Sequence, residues 1–183
     1  MVMIEQLIKI ESKDEKDRMH IEKINLTKEN LIEIEKIDDA FYTDEVTGID
    51  WYTDRYKPYN IAYGLFDDKE LVGYTIIAPI QEDLFKAIIN GVLVSDVQVS
   101  PEQFVKYSDF YYIASSVIKE KYRECRYGSK MFDQIMHDYK DKYICCLTVS
   151  KEGYRLANKF LYHYKIVTSS VDSFVSKNYR LLK

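Results

Sequence analysis

The chain has 183 residues, of which 46% are hydrophobic and 31% are charged. This composition is typical of one folded domain and argues against a disordered protein, because a single hydrophobic core commonly serves about 100–200 residues. The formal net charge of −4 argues against a broad nucleic-acid-binding surface. No apolar run approaches the roughly 20 residues that span a bilayer.

Two features of the sequence indicate a reducing compartment. The N-terminal segment is too acidic, and its apolar part too short, for a secretory signal. The three cysteines, Cys125, Cys145 and Cys146, form no disulfide framework, and the adjacent Cys145 and Cys146 should point to opposite faces of a strand. We therefore expect a cytoplasmic protein without membrane segments.

The first predicted elements are strands followed by two helices. Residues 3–10 and 19–24 alternate apolar and polar side chains, which predicts a hairpin or two short strands. Thr27 is a candidate N-cap for a helix whose apolar residues recur at helical spacing. A second helix is expected at 44–56, ending before Pro58.

The middle of the chain contains the clearest hairpin. Residues 61–66 and 71–78 read as two strands joined by a polar turn. A short helix at 81–91 and a strand at 92–99 follow. Ser-Pro-Glu-Gln at 100–103 is a capping box with proline at the first helical position, so we expect a helix over 101–107.

The last third alternates strands and helices. The β-rich segment 109–118 predicts a buried central strand, and residues 128–140 predict an amphipathic helix. A strand at 143–149 and a helix at 152–163 come next. The chain is expected to close with an antiparallel pair, 166–169 and 174–182, so the pattern is that of one α+β domain.

The turn between the strand 109–118 and the helix that follows it has the features of an anion site. The first amides of a helix lack internal partners and lie at the positive end of its dipole. Gly128 lets a phosphate approach the backbone closely, and Arg123, Arg126 and Lys130 add positive charge. A pyrophosphate group would fit such a site.

At this turn the sequence resembles the GNAT superfamily of acyl-CoA-dependent N-acetyltransferases. The family signature is Arg or Gln, two residues, Gly, any residue, then Gly or Ala, after a strand and opening a helix. Here it matches residues 123–128, with Arg126 at the position of the first glycine. The resemblance also covers the order of elements from Met19 to the C terminus. It implies a single domain over 1–183, with a central, mostly antiparallel mixed sheet flanked by helices.

The resemblance implies that acetyl-CoA is the co-substrate and that no metal is needed. The residues expected to bind it are Ser116, Val117, Ile118, Arg123, Glu124, Cys125, Arg126, Tyr127, Gly128, Ser129 and Lys130. A primary amine, of a small molecule or a peptide, would attack the thioester directly in a ternary complex. The protein would contribute mainly proximity and an oxyanion donor from the strand backbone. The histidines suggest no metal site, because His20, His137 and His163 fall on separate predicted elements.

Two side chains are candidates for proton transfer. Tyr162 is the candidate general acid for the thiolate, and Asp109, at the start of the central strand, is the candidate base. Tyr162 could equally be packed with its hydroxyl in water, and Asp109 could be a solvated loop residue. Ser116 and Tyr112 are expected to share a face with Ile118 by alternation.

Several alternatives stay open at this point. The departure at Arg126 is compatible with a catalytically inactive GNAT-fold protein that binds CoA or a partner protein. The segment 81–108 would be an insertion between the third and fourth core strands, acting as a lid, a substrate wall or a dimer contact, and a homodimer is open. The aromatic cluster at 51–59 could cradle an amine or form a satellite core. The acidic helix 27–45 is either a solvated face or a wall of the acceptor site.

Overall fold

The computed structural model of the chain describes residues 18–41, 48–93, 95 and 98–180. Within them one sheet contains seven strands: β1 (Met19–Asn25), β2 (Ile61–Asp67), β3 (Glu70–Pro79), β4 (Phe110–Ile118), β5 (Tyr143–Thr148), β6 (Tyr162–Ile166) and β7 (Asp172–Val175). The α-helices of the described part are α1 (Lys28–Phe41), α2 (Gly48–Arg55), α3 (Glu82–Ile89), α4 (Tyr127–Asp138), α5 (Lys151–Phe160) and α6 (Lys177–Arg180). Short 3₁₀ turns cover Pro101–Gln103 and Glu120–Tyr122.

The strand order across the sheet is β1-β2-β3-β4-β5-β7-β6. Every neighbouring pair is antiparallel except β4 and β5, which run parallel. This confirms the predicted α+β domain with a mostly antiparallel mixed sheet. The parallel pair is joined by α4, as a parallel connection requires a crossover element.

Helices cover both faces of the sheet, and α1 to α5 each bury apolar side chains against it. On one face the core contains side chains of α1, α2 and α3, among them Leu31, Tyr52 and Phe85. On the other face it contains Met131 of α4 and Ala157 of α5. Burying a large aliphatic or aromatic side chain stabilises a fold by about 1.5–3 kcal/mol, so these side chains hold the helices against the sheet.

The segment 81–108 differs from its prediction in two places. The strand expected at 92–99 is wrong, because its described residues 92, 93, 95, 98 and 99 are bend, 3₁₀ or irregular backbone. Within the described sheet β3 lies between β2 and β4, so it has no free edge for a strand here to pair with, whatever the propensity of the segment. By contrast, α3 is part of the core, since Leu84, Phe85 and Ile88 are almost fully buried. It is therefore not a lid.

The helix expected at 101–107 is a single 3₁₀ turn. The capping box is present, and the Ser100 amide donates to Oε1 of Gln103 at 3.0 Å. The chain then leaves the helical path, because Phe104 forms a β-bridge with Ile80 and the Val105 amide donates to the Pro79 carbonyl at 3.0 Å. Pairing with the end of β3 replaces the helical hydrogen bonds.

The C-terminal part is shifted relative to its prediction. The helix predicted at 152–163 ends at Phe160, and Tyr162 begins β6. The closing pair exists and is antiparallel, but it joins 162–166 to 172–175 rather than 166–169 to 174–182. Three predicted stretches lie outside the described residues. They are the strand predicted at 3–10, the first four residues of the helix predicted at 44–56, and the end of the strand predicted at 174–182.

Candidate functional site

The neighbouring strands β4 and β5 separate about halfway along β4. The parallel pairing of β4 with β5 runs from Phe110 opposite Tyr143 to Ile113 opposite Cys146. Beyond it β4 continues over residues 114–118, with β3 as its only neighbouring strand in the described sheet, while β5 continues beside β7. A V-shaped opening therefore separates the carboxyl ends of β4 and β5. One edge of its β4 arm offers backbone donors and acceptors that no neighbouring strand takes.

A β-bulge lies where the V begins. Ile77 pairs with Ile113 and Ile76 with Ser115, so Ala114 has no partner on β3. The extra residue reverses the alternation of side chains beyond it. Tyr112 packs in the core beneath α1, whereas Ile118 packs against the core beneath α4. The prediction that Tyr112 shares a face with Ile118 and Ser116 is therefore wrong.

The loop after β4 is tied to the hairpin formed by β2 and β3. The Tyr122 hydroxyl donates to Asp67 at 2.8 Å, and Lys119 forms a 2.7 Å ion pair with Glu70. The hydrogen bond from Tyr122 is the largest cause that lowers the pKa of Asp67. These contacts fix the loop at both ends of the 3₁₀ turn and so position the start of α4.

The Arg123 side chain folds back on the end of β4. Its Nε donates to the Ile118 carbonyl at 2.8 Å, and its guanidinium lies 4.8 Å from the centre of the Phe41 ring. Arg123 thus joins the loop to β4 and to the end of α1. This arrangement favours a loop-bracing role for Arg123 over direct contact with an anion at α4.

The N terminus of α4 is uncapped. The first of its amides to meet a backbone acceptor is that of Lys130, which donates to the Arg126 carbonyl at 3.1 Å. No side chain in the described part of the protein caps the helix, so the amides of Gly128 and Ser129 remain available. The side chains of Arg126 and Lys130 are exposed beside them. Such a helix end attracts phosphate through its free amides and its dipole.

The backbone of the turn has two residues in the left-handed region. Glu124 and Arg126 both have φ of 64°. Arg126 holds the position where the resembled family has glycine, and it takes the conformation that glycine adopts most easily. A Cβ added at Gly128 would lie 3.4 Å from Leu156 and 3.6 Å from Ile118, which is ordinary van der Waals contact.

The structure does not bring Asp109 or Tyr162 to this site. Asp109 precedes β4 at the end opposite to Ile118, about 30 Å away at the usual rise per residue, and forms a 2.5 Å ion pair with Lys142. Tyr162 is 38% exposed on β6 at the sheet edge, with β7 and β5 between it and β4, about 14 Å at the usual strand spacing.

The cysteines and the aromatic cluster have structural surroundings. Cys145 and Cys146 are buried on opposite faces of the sheet, as predicted, and burial raises the pKa of both thiols, that of Cys146 to about 12. Cys125 is exposed in the loop. Tyr52 and Tyr56 are buried, and the guanidinium of Arg55 already lies 4.4 Å from the Trp51 ring centre. Trp51, Tyr52 and Tyr56 therefore belong to the core beneath α1 and do not form an open amine cradle, while Tyr59 is exposed.

One carboxylate near the V was missed by the sequence analysis. Asp38 of α1 is 7% exposed and accepts hydrogen bonds from the hydroxyls of Tyr52 and Tyr74. The Tyr74 hydroxyl also lies 3.0 Å from Oγ of Ser115, the residue after the bulge. The spacing of Leu31, Ile34 and Asp38, at i, i+3 and i+7, places Asp38 on the apolar stripe of the helix and could have revealed it.

In the described part of the chain no three His, Cys, Asp or Glu side chains come together as a metal-binding group. None of the helices described above combines the length and apolar character needed to cross a bilayer.

Similarity to known proteins comes from the fold rather than from the sequence. No family model matches the sequence, and no curated protein matches it. Solved structures with the same fold include acetyltransferases, one of them described as a member of the GNAT family. The loading GNATL domain of CurA from Lyngbya majuscula has a TM-score of 0.64 and 9% identity, with 86% of this chain and 96% of that one covered.

Two plant structures with the same fold contain CoA ligands. Arabidopsis thaliana NAA60 in complex with acetyl-CoA has a TM-score of 0.55 and 10% identity, covering 86% of this chain and 97% of that one. Arabidopsis thaliana Naa50 in complex with the bisubstrate analogue CoA-Ac-MVNAL has a TM-score of 0.52 and 12% identity, covering 85% and 95%. The chain therefore has the GNAT fold.

Proposed function

We propose that this protein is an acetyltransferase that moves an acetyl group from acetyl-CoA to a primary amine. The observation that carries the proposal is the uncapped N terminus of α4 at the open end of the V between β4 and β5. The GNAT fold supports it, since solved structures of that fold include complexes with acetyl-CoA and with a CoA–peptide analogue.

In the proposed complex the pyrophosphate of acetyl-CoA lies against the amides of Gly128 and Ser129. Arg126 and Lys130, both exposed at this end of α4, contribute positive charge. The chain's backbone over residues 116–118 pairs with the amides of the pantetheine arm, because that edge of β4 has no strand beside it beyond Ile113. The thioester then lies near the bulge at Ala114.

The proposed reaction is direct transfer. The amine nitrogen bonds to the thioester carbonyl carbon, the C–S bond breaks, and its electron pair leaves with sulfur, which takes a proton. Holding both reactants in the V supplies proximity, and backbone amides of β4 near the bulge are placed to stabilise the oxyanion. The proposed reaction uses neither residue predicted for proton transfer, since Asp109 pairs with Lys142 and Tyr162 lies on the edge strand β6.

Binding of acetyl-CoA is tested by calorimetry on the whole protein. Arg126→Glu and Lys130→Glu should each weaken binding about tenfold, equivalent to about 1.4 kcal/mol, because each puts a negative charge beside the pyrophosphate. Lys106→Glu is the matched control, since it makes the same charge change at an exposed residue near the opposite end of β4. Equal losses in all three variants would contradict the site.

A second candidate is a protein of the same fold that binds CoA without transferring acetyl groups. The remote positions of Asp109 and Tyr162 favour it, because the side chains predicted for proton transfer are absent from the V. Thiol release from acetyl-CoA, measured with a panel of small amines and peptides, separates the two candidates. Release that depends on the amine supports the enzyme, and binding without release supports the second candidate.

A further inference from the structure

Asp38 is a buried carboxylate held by two phenols. Its Oδ2 accepts from Tyr52 of α2, and its Oδ1 accepts from Tyr74 of β3. A buried carboxylate is costly unless its oxygens are hydrogen-bonded. A folded protein that needed only packing here would be better served by an apolar residue of similar volume, so the presence of this group suggests a chemical role.

The network reaches the V through the bulge. Because ionised Asp38 can only accept, Tyr74 must donate its hydroxyl proton to Oδ1. The Tyr74 oxygen is then free to accept from Ser115, whose Oγ lies 3.0 Å away. Ser115 is half-buried, follows the bulge residue Ala114, and belongs to the part of β4 that has separated from β5. Three groups thus form a continuous line from the V to a buried carboxylate.

We propose that Ser115, Tyr74 and Asp38 form a proton relay that deprotonates the acceptor amine. This inference rests on the proposed acetyltransferase function. It gives the role of final proton acceptor to Asp38, because Asp109 lies away from the V. Ser115 is the group that meets the acceptor, Tyr74 conducts the proton, and Asp38 receives it.

The proton balance of the relay is complete. The acceptor ammonium passes one proton to Oγ of Ser115, Ser115 passes its own to Tyr74, and Tyr74 passes its own to Oδ1 of Asp38. The neutral amine then attacks the thioester carbonyl, the N–C bond forms and the C–S bond breaks. The second proton lost by nitrogen ends on the sulfur of CoA.

The surroundings of Asp38 suit a proton acceptor. Burial raises the pKa of Asp38, the hydrogen bonds from Tyr52 and Tyr74 oppose that rise, and the neighbouring Asp39 adds to it. No cation of the described residues is among the groups that act on it. A carboxylate without a counter-ion in a desolvated site gains more from a proton than one in water does.

Tyr52 provides the matched control for the test. Tyr52→Phe and Tyr74→Phe each remove one hydroxyl from the same carboxylate and keep the ring that packs in the core. A purely structural role of Asp38 predicts similar effects for both variants. The relay predicts different effects for the two variants, because it is the Tyr74 hydroxyl that lies within hydrogen-bond distance of Ser115.

The experiment measures thiol release from acetyl-CoA against pH, with the amine panel and with water as acceptors. Tyr74→Phe and Asp38→Asn should lower kcat by about 10²-fold or more, whereas Tyr52→Phe should stay within about threefold. Tyr52→Phe should also move the acidic limb of kcat/KM to higher pH, because the carboxylate loses a hydrogen bond that stabilises its charged form. Ser115→Thr should retain more activity than Ser115→Ala.

Calorimetry with acetyl-CoA on the same variants completes the test, and affinities should stay within about twofold of the unchanged protein. Equal losses of kcat in Tyr52→Phe and Tyr74→Phe, or full activity in Tyr74→Phe, overturn the relay and leave the transferase proposal intact. If the unchanged protein binds no acetyl-CoA, or releases no thiol with any acceptor, the proposed function fails and the relay with it.

Discussion

In the turn before α4, the left-handed backbone conformation that favours glycine is taken by Arg126 and not by Gly128. Arg126 has φ of 64°, in the left-handed region, while Gly128 lies inside the first turn of the helix with no positive φ. The turn therefore keeps the backbone shape for which a glycine would be expected, but a charged side chain accompanies it. The same residue that strains the backbone adds positive charge beside the free amides of α4.

Replacing Arg126 should reveal this strain. Arg126→Gly should be more stable to urea than Arg126→Ala by about 1 kcal/mol, because a left-handed φ penalises any residue with a Cβ. The same pair of changes at Arg155, an exposed position inside α5, is the control. There alanine should be the more stable by about 1 kcal/mol. If the alanine variant is the more stable of the pair at both positions, the backbone of Arg126 is not strained.

The start of α5 depends on one hydroxyl. Oγ of Ser150 accepts from the Gly153 amide at 3.0 Å and so caps the helix that follows β5. Ser150→Ala should lower the free energy of unfolding by about 1 kcal/mol, as measured by urea denaturation. Ser150→Asp keeps a hydrogen-bond acceptor and should lower the free energy of unfolding far less. An equal decrease in both variants would exclude the capping role.

The stability of the protein should depend on pH through Asp38. Its folded pKa is raised above the ordinary value of 3.8, so the folded state holds this proton more tightly than the unfolded chain. This contribution is fully present below the unfolded pKa and is lost as pH rises through the folded pKa. Relative to Asp38→Asn, the unchanged protein should lose stability over that window, by at most about 1.4 kcal/mol per pH unit.

Urea denaturation of both proteins from pH 4 to pH 8 measures this difference. A difference that grows in favour of the unchanged protein as pH rises would mean that the folded pKa is lowered instead. Asp109→Asn is a suitable companion, since it removes an exposed carboxylate that lies at the other end of β4 and is paired with Lys142.

The structure also predicts which substitutions should leave the rate of turnover nearly unchanged. Asp109→Asn and Tyr162→Phe should leave the rate of thiol release within about twofold, because both residues lie well away from the V. Asp109→Asn breaks an ion pair at the surface, which is worth about 0–1 kcal/mol. A loss of tenfold or more in Tyr162→Phe, with acetyl-CoA affinity unchanged, would return Tyr162 to the role of general acid.

Local patterns predicted the parts of the protein that local interactions stabilise. The hairpin of β2 and β3, the central strand β4 and the amphipathic helix α4 follow from alternation, helical spacing and turn residues. The order of elements and the residues 123–128 together indicated the GNAT fold, which the structure confirms. The segments that failed, 92–99 and 104–107, depended on whether a strand edge was within reach, and that is not a local property.

The set of residues that meet at the V was only partly predictable from the sequence. The sequence by itself determined that a basic, uncapped helix start follows a buried strand, because amide geometry and charge at residues 123–130 are local. Tertiary structure alone decided that Ala114 forms a bulge and that β4 separates from β5 after Ile113. It also decided that Asp38, 77 positions before Ser115 in the chain, is linked to Ser115 through the Tyr74 hydroxyl. A single inserted residue in a strand reverses every side chain beyond it, and packing across a sheet joins groups that no spacing along the chain connects.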